Sequence, residues 1–223
     1  MVPYRILITI IIVCFGSSCT VNERYRNIGK TTNASYSTFF NKKERKPYMS
    51  CYTVKKINIE GQIKRYHKFM KDSVRNIASN KDFLKSGYDK GHLKPAAVSK
   101  QNIKEMKESF LLSNVAPQFP YFNRVVWRSI ESQVRALLKN QDSLIVYTGV
   151  VYKKRAKKIN GKVEVPYYFY KTILLGDSTE TIAYLAKNDS SSLKGMDFKT
   201  TVNKIEKLVG FNFYPGLSEN LEN

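Results

Sequence analysis

Three side chains with complementary chemistry stand within one short span of this sequence: His92, Asn123 and Glu131. His92 is one of two histidines in the chain, and a neutral imidazole near physiological pH can take a proton from a water attacking phosphorus. Asn123 offers an amide oxygen, a hard neutral donor suited to Mg²⁺, an ion that keeps several waters and needs few protein ligands. Glu131 lies further along the same segment, about 12 Å of helical rise away, on a broad common stripe with Asn123. A carboxylate there can hold metal-bound waters rather than the ion itself. Arg135 follows Glu131 at i+4 and can pair with it or reach a phosphate oxygen. Taken singly, each has a plain structural alternative: a core histidine, a helix cap, an exposed Glu–Arg pair. Together they make a kit for cutting a phosphodiester with one metal ion, Mg²⁺ first and Mn²⁺ as its substitute.

The surroundings sharpen this reading. The stretch Ser86-Gly-Tyr-Asp-Lys-Gly-His-Leu-Lys-Pro-Ala-Ala97 is followed by Glu108-Ser-Phe-Leu-Leu-Ser-Asn-Val-Ala-Pro-Gln118 and by Asn123-Arg-Val-Val-Trp-Arg-Ser-Ile-Glu131. In order and spacing these segments resemble the DNA/RNA non-specific endonucleases, which include secreted bacterial nucleases and the mitochondrial endonuclease G group. The resemblance runs from about Lys46 to Pro215. It implies a ββα-metal (His-Me finger) site, cleavage of both DNA and RNA, and 5′-phosphate ends. The family hallmark Asp-Arg-Gly-His reads here as Asp89-Lys90-Gly91-His92, so Lys90 takes the place of a catalytic arginine and a forked donor becomes a point charge. His67 stands where secreted members often carry a second catalytic arginine, with Arg65 close by as the substitute. Trp127 reads as core rather than as a platform for bases.

Charge points the same way. The chain of 223 residues carries 38 Lys and Arg against 18 Asp and Glu, a net charge of +20 at pH 7. A surface this positive suits a polyanionic partner, and DNA and RNA are the partners expected. A hydrophobic content of 42% excludes a disordered basic tail and fits one globular domain. A rival class, a non-catalytic nucleic-acid-binding surface lipoprotein, shares the charge but has no use for His92, Asn123 and Glu131 together.

At the N-terminus, Arg5 precedes the apolar run Ile6–Phe15 and the small residues Gly16-Ser-Ser18. This pattern reads as a signal peptide over residues 1–18, hence an exported protein, periplasmic, surface-anchored or secreted. Cys19 resembles a bacterial lipoprotein acylation site, although Gly16 stands where a Leu-like residue is usual, so membrane attachment through a lipid competes with simple cleavage. If Cys19 is not acylated, a Cys19–Cys51 bridge is open to it. A homodimer is a further expectation.

The elements that must position the site follow from periodicity. Residues 19–46 are polar and read as a tether, which leaves residues 47–223 as the catalytic domain. Pro47–Ile59 is rich in β-formers, with Glu60-Gly61 as a turn into a second strand. Ile103–Phe110 has helical character, and Phe110–Leu112 begins a buried, strand-like run. Phe122–Leu138 is the clearest helix, with Val126, Trp127, Ile130, Val134, Leu137 and Leu138 on one face. Ser143–Tyr152, Val163–Leu175 and Thr181–Leu185 read as strands, and Thr201–Leu208 as a short helix. Between the first two lies Lys153–Lys162, with six cations, no acid and a turn signal at Asn160-Gly161. The order of elements predicts an α+β fold, a central antiparallel sheet flanked by helices.

Overall fold

The computed structural model describes residues 28–41, 44, 46–71, 73–74, 76–176, 180–190 and 198–217. The segment expected to direct export, Cys19 and most of the basic cluster at 42–46 lie outside the described residues. In chain order the elements are β1 (Ile28–Thr32), β2 (Ser37–Asn41), β3 (Pro47–Lys55), α1 (Lys56–Glu60), β4 (Asp89–His92), α2 (Ile103–Glu108), β5 (Val115–Gln118), α3 (Arg128–Leu137), β6 (Ser143–Val151), β7 (Lys158–Ile159), β8 (Val163–Glu164), β9 (Tyr168–Leu175), β10 (Thr181–Lys187), β11 (Lys199–Thr200) and α4 (Val202–Val209). Seven strands form one sheet in the order β1-β2-β3-β6-β9-β10-β11, and every neighbouring pair is antiparallel. The expected α+β architecture is present.

Side chains alternate across the sheet, and both faces are covered. On one face Phe169, Ile173 and Leu175 of β9 join Val54, Leu144 and Val146 beneath Phe122, Val126, Trp127, Ile130 and Val134 of the α3 segment. On the other, Tyr170 and Leu174 pack with Val202, Ile205 and Val209 of α4 and with Phe213. A strand buried on both sides reads as a continuous apolar run, which is why Tyr168–Leu175 lacks polar alternation. Lys171 and Thr172 are the polar exceptions within it, and Lys171 faces α3. Trp127 is core, 1% exposed.

Four sequence expectations are corrected here. The tether fails from residue 28 onward, because β1 and β2 are sheet strands, and Tyr36 just before β2 with Thr38 and Phe40 within it are buried at every second position. Lys46, at the supposed end of that tether, is buried and donates to Glu164 Oε2 at 2.7 Å. The turn at Glu60-Gly61 is instead the end of α1, whose start is capped by Asn58 Oδ1 accepting from Lys55 N, while Asn58 Nδ2 donates to Gln101 Oε1. Val163–Leu175 is two strands, interrupted at Pro166, which has no backbone donor. The buried run from Phe110 opens with a 3₁₀ turn, Leu112–Asn114, before β5 begins.

The Lys153–Lys162 segment forms the expected hairpin. Asn160 and Gly161 have φ of 46° and 70°, the left-handed pair that a tight β7–β8 turn requires. Asn160 Nδ2 donates to the carbonyls of Asp82 and Leu84, and Ile159, Val163 and Val165 pack on Ala78, Phe83 and Val115. The basic hairpin is therefore docked beside β5.

Candidate active site

Two short strands and a helix hold the predicted residues. β4 pairs antiparallel with β5, Asp89 opposite Gln118 and His92 opposite Val115. Strand alternation puts Lys90 and His92 on one face, Asp89 and Gly91 on the other. A Cβ at Gly91 would overlap the Gln118 side chain, so the glycine is required by close approach rather than by a sharp turn. The Gln118 amide is itself buried with no protein partner on either atom.

The pair is fixed to the sheet by Asn114, which is fully buried. Its Oδ1 accepts from Lys94 N and Ser50 Oγ, and its Nδ2 donates to the carbonyls of Lys94 and Ser109. Ser50 in turn bonds Thr38 of β2. The N-terminal strands thus carry the position of the strand that bears His92.

His92 sits among rings. Its centroid lies 5.1 Å from that of Phe69 and 4.7 Å from that of Phe110, and Nε2 is buried without a hydrogen-bond partner. Burial pushes its pKa down to about 3, and the positive charge of Arg65 adds to the shift. At neutral pH the imidazole is uncharged and can accept a proton. The Arg65 guanidinium lies 5.2 Å over the Phe110 ring, and Lys90 Nζ lies 5.3 and 5.6 Å over Phe69 and Phe83. Aromatic faces thereby hold two cations around the candidate base. His67 and Arg65 are both exposed, and of the two it is Arg65 whose charge acts on His92.

Asn123 is held differently. Its Nδ2 donates to Asp89 Oδ2 at 3.0 Å, and Arg124 grips both oxygens of the same carboxylate at 2.8 and 2.7 Å. With the amide nitrogen committed to Asp89, Oδ1 is the atom left to donate to a cation. Asn123 lies in a π-helical turn, Phe122–Trp127, that opens the α3 segment, a deformation common at functional sites. In a plain α-helix the spacing to Glu131 overshoots two turns by about 80°. The wider π turn takes more residues per revolution, which brings Asn123 and Glu131 nearer to one face.

Glu131 lies over the sheet. Burial raises its pKa, while the charges of Lys171, Arg135 and Arg65 work in the opposite direction. Lys171 Nζ donates to Thr148 Oγ1 at 2.6 Å and to Tyr52 Oη at 3.2 Å, and lies 4.9 Å over the Trp127 ring. Its pKa is lowered to about 8 by burial, against the pull of Glu131. Arg135 donates to Ser132 Oγ at 2.7 Å and is felt by both Glu131 and Lys171. Arg65 is the electrostatic link between the parts of the site, because its charge acts on His92 and on Glu131 alike.

Among the described residues no group of three or more His, Cys, Asp or Glu side chains could hold a metal ion. The donor set fits an ion carried by one amide oxygen and waters, which is the habit of Mg²⁺ rather than of zinc. The sequence reading missed Asp89, Arg124 and Lys171. Asp89 was visible as part of the motif, but its partner lies 34 residues away. Lys171 left one signal, a lone cation inside an apolar strand. Cys51 is a free thiol whose pKa burial pushes up to about 11.

Comparison with known proteins bears on the family and the fold. The sequence profile of the DNA/RNA non-specific endonucleases matches residues 20–220. The chain is 32% identical over 164 residues to mitochondrial endonuclease G of Bos taurus, covering 66% of this chain and 55% of that protein. It is 33% identical over 160 residues to a nuclease of Syncephalastrum racemosum, covering 61% of this chain and 50% of the other. The chain thus spans about half the length of these relatives. The crystal structure of an EndoG/EndoGI complex, on the mechanism of EndoG inhibition, superposes with a TM-score of 0.79 at 25% identity, covering 86% of this chain and 88% of that one.

Proposed function

The chain belongs to the DNA/RNA non-specific endonuclease family, and from that premise we propose that it is a metal-dependent endonuclease that hydrolyses both DNA and RNA to 5′-phosphate ends. The observation that carries this reading is the hold of Asp89 on Asn123, which ties the amide to the same short strand that bears the base and leaves its oxygen as the donor. A nucleic-acid binder without chemistry has no need of that orientation.

Asn123 would hold the ion, Mg²⁺ or in its place Mn²⁺, with Glu131 bonding its waters. When bound, the ion neutralises the non-bridging phosphate oxygens and the departing 3′ oxygen. The remaining steps belong to the side chains. His92, neutral in its aromatic pocket, takes the proton of the attacking water. Arg65 and Lys90 bring positive charge to the phosphate beside it. The excess of cations, +20 over the chain, attracts the backbone of either nucleic acid without reading its sequence.

Export through residues 1–18 belongs to the same proposal, supported by the basic flank, apolar run and small residues of that segment. The mature N-terminus from native cells, with fatty-acid labelling of wild type and Cys19→Ser, tests it.

The experiment for the activity is incubation of a supercoiled plasmid and of a single-stranded RNA with the protein and Mg²⁺, with and without chelator, followed by end-group analysis. Nicking of both, stopped by chelator and leaving 5′-phosphates, is expected. Tight binding without cleavage in Mg²⁺, Mn²⁺ or Ca²⁺ overturns the reading in favour of a binding protein.

A further inference from the structure

A ridge of rings and ammonium groups leads away from Asn123. Lys157 Nζ lies 5.5 Å over the ring of Tyr88, the residue just before Asp89. The Tyr88 and Phe119 centroids are 4.8 Å apart, and the carbonyl of Phe119 accepts from Asn123 N. Asn188, 5% exposed, then ties this half to the next. Its Oδ1 accepts from Phe119 N, its Nδ2 donates to the carbonyls of Pro117 and Pro166, and its backbone N–H donates to Tyr167 O. Beyond it the Tyr167 ring carries Lys153 Nζ at 3.5 Å and Lys187 Nζ at 5.7 Å. Asp189 pairs with Lys187 at 2.8 Å. Tyr88, Phe119 and Tyr167 are only half-buried, although rings of this size usually fill cores.

We propose that this ridge is a subsite for unpaired nucleotides, in which Lys153, Lys157 and Lys187 take successive phosphates while Tyr167, Phe119 and Tyr88 offer faces to the bases. The inference rests on nucleic acid being the substrate. Cations alone serve a duplex as well as a single strand, because both present phosphates. Ring faces serve only bases that are out of a stack, and such stacking tolerates any sequence. In the free protein the lysines rest on the rings. Phosphate draws them aside, and bases take the faces that they leave. The buried Asn188 keeps both halves of the ridge in fixed relation to the metal ligand.

The test is steady-state cleavage of a short single strand and of a hairpin duplex of the same composition by wild type, Tyr167→Leu and Tyr167→Phe, with thermal unfolding as the check on the fold. Tyr167→Leu is expected to raise KM for the single strand about tenfold, within the range for loss of one stacked base, and for the duplex by less than about threefold, as no stack is lost there. Tyr167→Phe keeps the ring and recovers the single-strand value. Equal loss on both substrates, or no loss on the single strand, overturns the subsite while leaving the nuclease reading in place. Failure of wild type to cut either substrate overturns the underlying reading instead.

Discussion

His92 and Asn123 serve one proposed reaction but are controlled by opposite means. His92 makes no hydrogen bond through its buried Nε2, is packed by Phe69 and Phe110, and is driven to its neutral form by loss of water. Asn123 lies at a charged surface, with Arg124 holding Asp89 and Asp89 holding the amide. Burial sets which protonation state the base adopts. Hydrogen bonding sets which atom the ligand presents. A base has to change its proton count, so its surroundings should not fix it in place through that proton. A neutral ligand has only an orientation to lose, and a carboxylate partner preserves it.

That contrast can be broken from either side. The largest effect is expected at the base: His92→Ala should lower kcat about a thousandfold, the middle of the range for a general base, with nucleic-acid affinity almost unchanged in a filter-binding assay. Cleavage within tenfold of wild type would place the base elsewhere.

Asp89→Ala comes next. It frees the Asn123 amide to rotate, and loss of such a partner typically costs ten- to a hundredfold in metal affinity or activity. The divalent concentration for half-maximal rate should rise while the acid limb of the pH profile stays put. A moved acid limb with unchanged metal demand would reverse the roles given to the two regions.

The pH profile itself sharpens the comparison. His92 has its pKa lowered from 6.5 to about 3, so its base form persists as pH falls through 6.5 and is lost only near the folded value. The acid limb of kcat/KM should therefore have its midpoint well below 6.5. The same sign applies to stability: the unfolded chain binds the proton first, so thermal stability contributed by the half-buried neutral ring falls between pH 6.5 and 3. A limb centred at 6.5 would mean that the ring is in water.

The smallest effect is expected at Lys90→Arg. Phe69 and Phe83 hold the Lys90 ammonium from below, and a guanidinium stacks on rings at least as well. Activity should stay within about threefold of wild type, or rise, as the forked donor returns. Abolished cleavage in a folded variant would mean that Lys90 makes a contact that only an ammonium can make.

What could be read without coordinates divides along the same line. His92, Asn123 and Glu131 stood out through the resemblance of their motifs to a nuclease family, since each residue alone has a plain structural use. The helix face from Val126 to Leu138 was legible too, since its period is local. Contacts between distant segments were not. Asp89 reads as a polar residue until Asn123 and Arg124 are placed against it. Lys171 reads as a lapse in an apolar strand until Glu131 and Trp127 lie above it. Residues 19–46 read as a tether because Asn, Ser, Thr and the basic cluster at 42–46 make them polar, yet the inward alternation of Tyr36, Thr38 and Phe40 is what the sheet uses. The π turn leaves no mark in sequence, although it sets how Asn123 and Glu131 face one another.

The central claim is that one region holds an ion and the other moves a proton. A divalent-ion titration under single-turnover conditions, on wild type, Asn123→Ala and His92→Ala, tests it most directly. Asn123→Ala should recover part of its lost rate as Mg²⁺ is raised, because its defect is in holding the ion. His92→Ala should stay low at every concentration, because no amount of ion supplies the missing base. Recovery of His92→Ala by metal alone, or an Asn123→Ala rate that matches wild type throughout, would contradict the account.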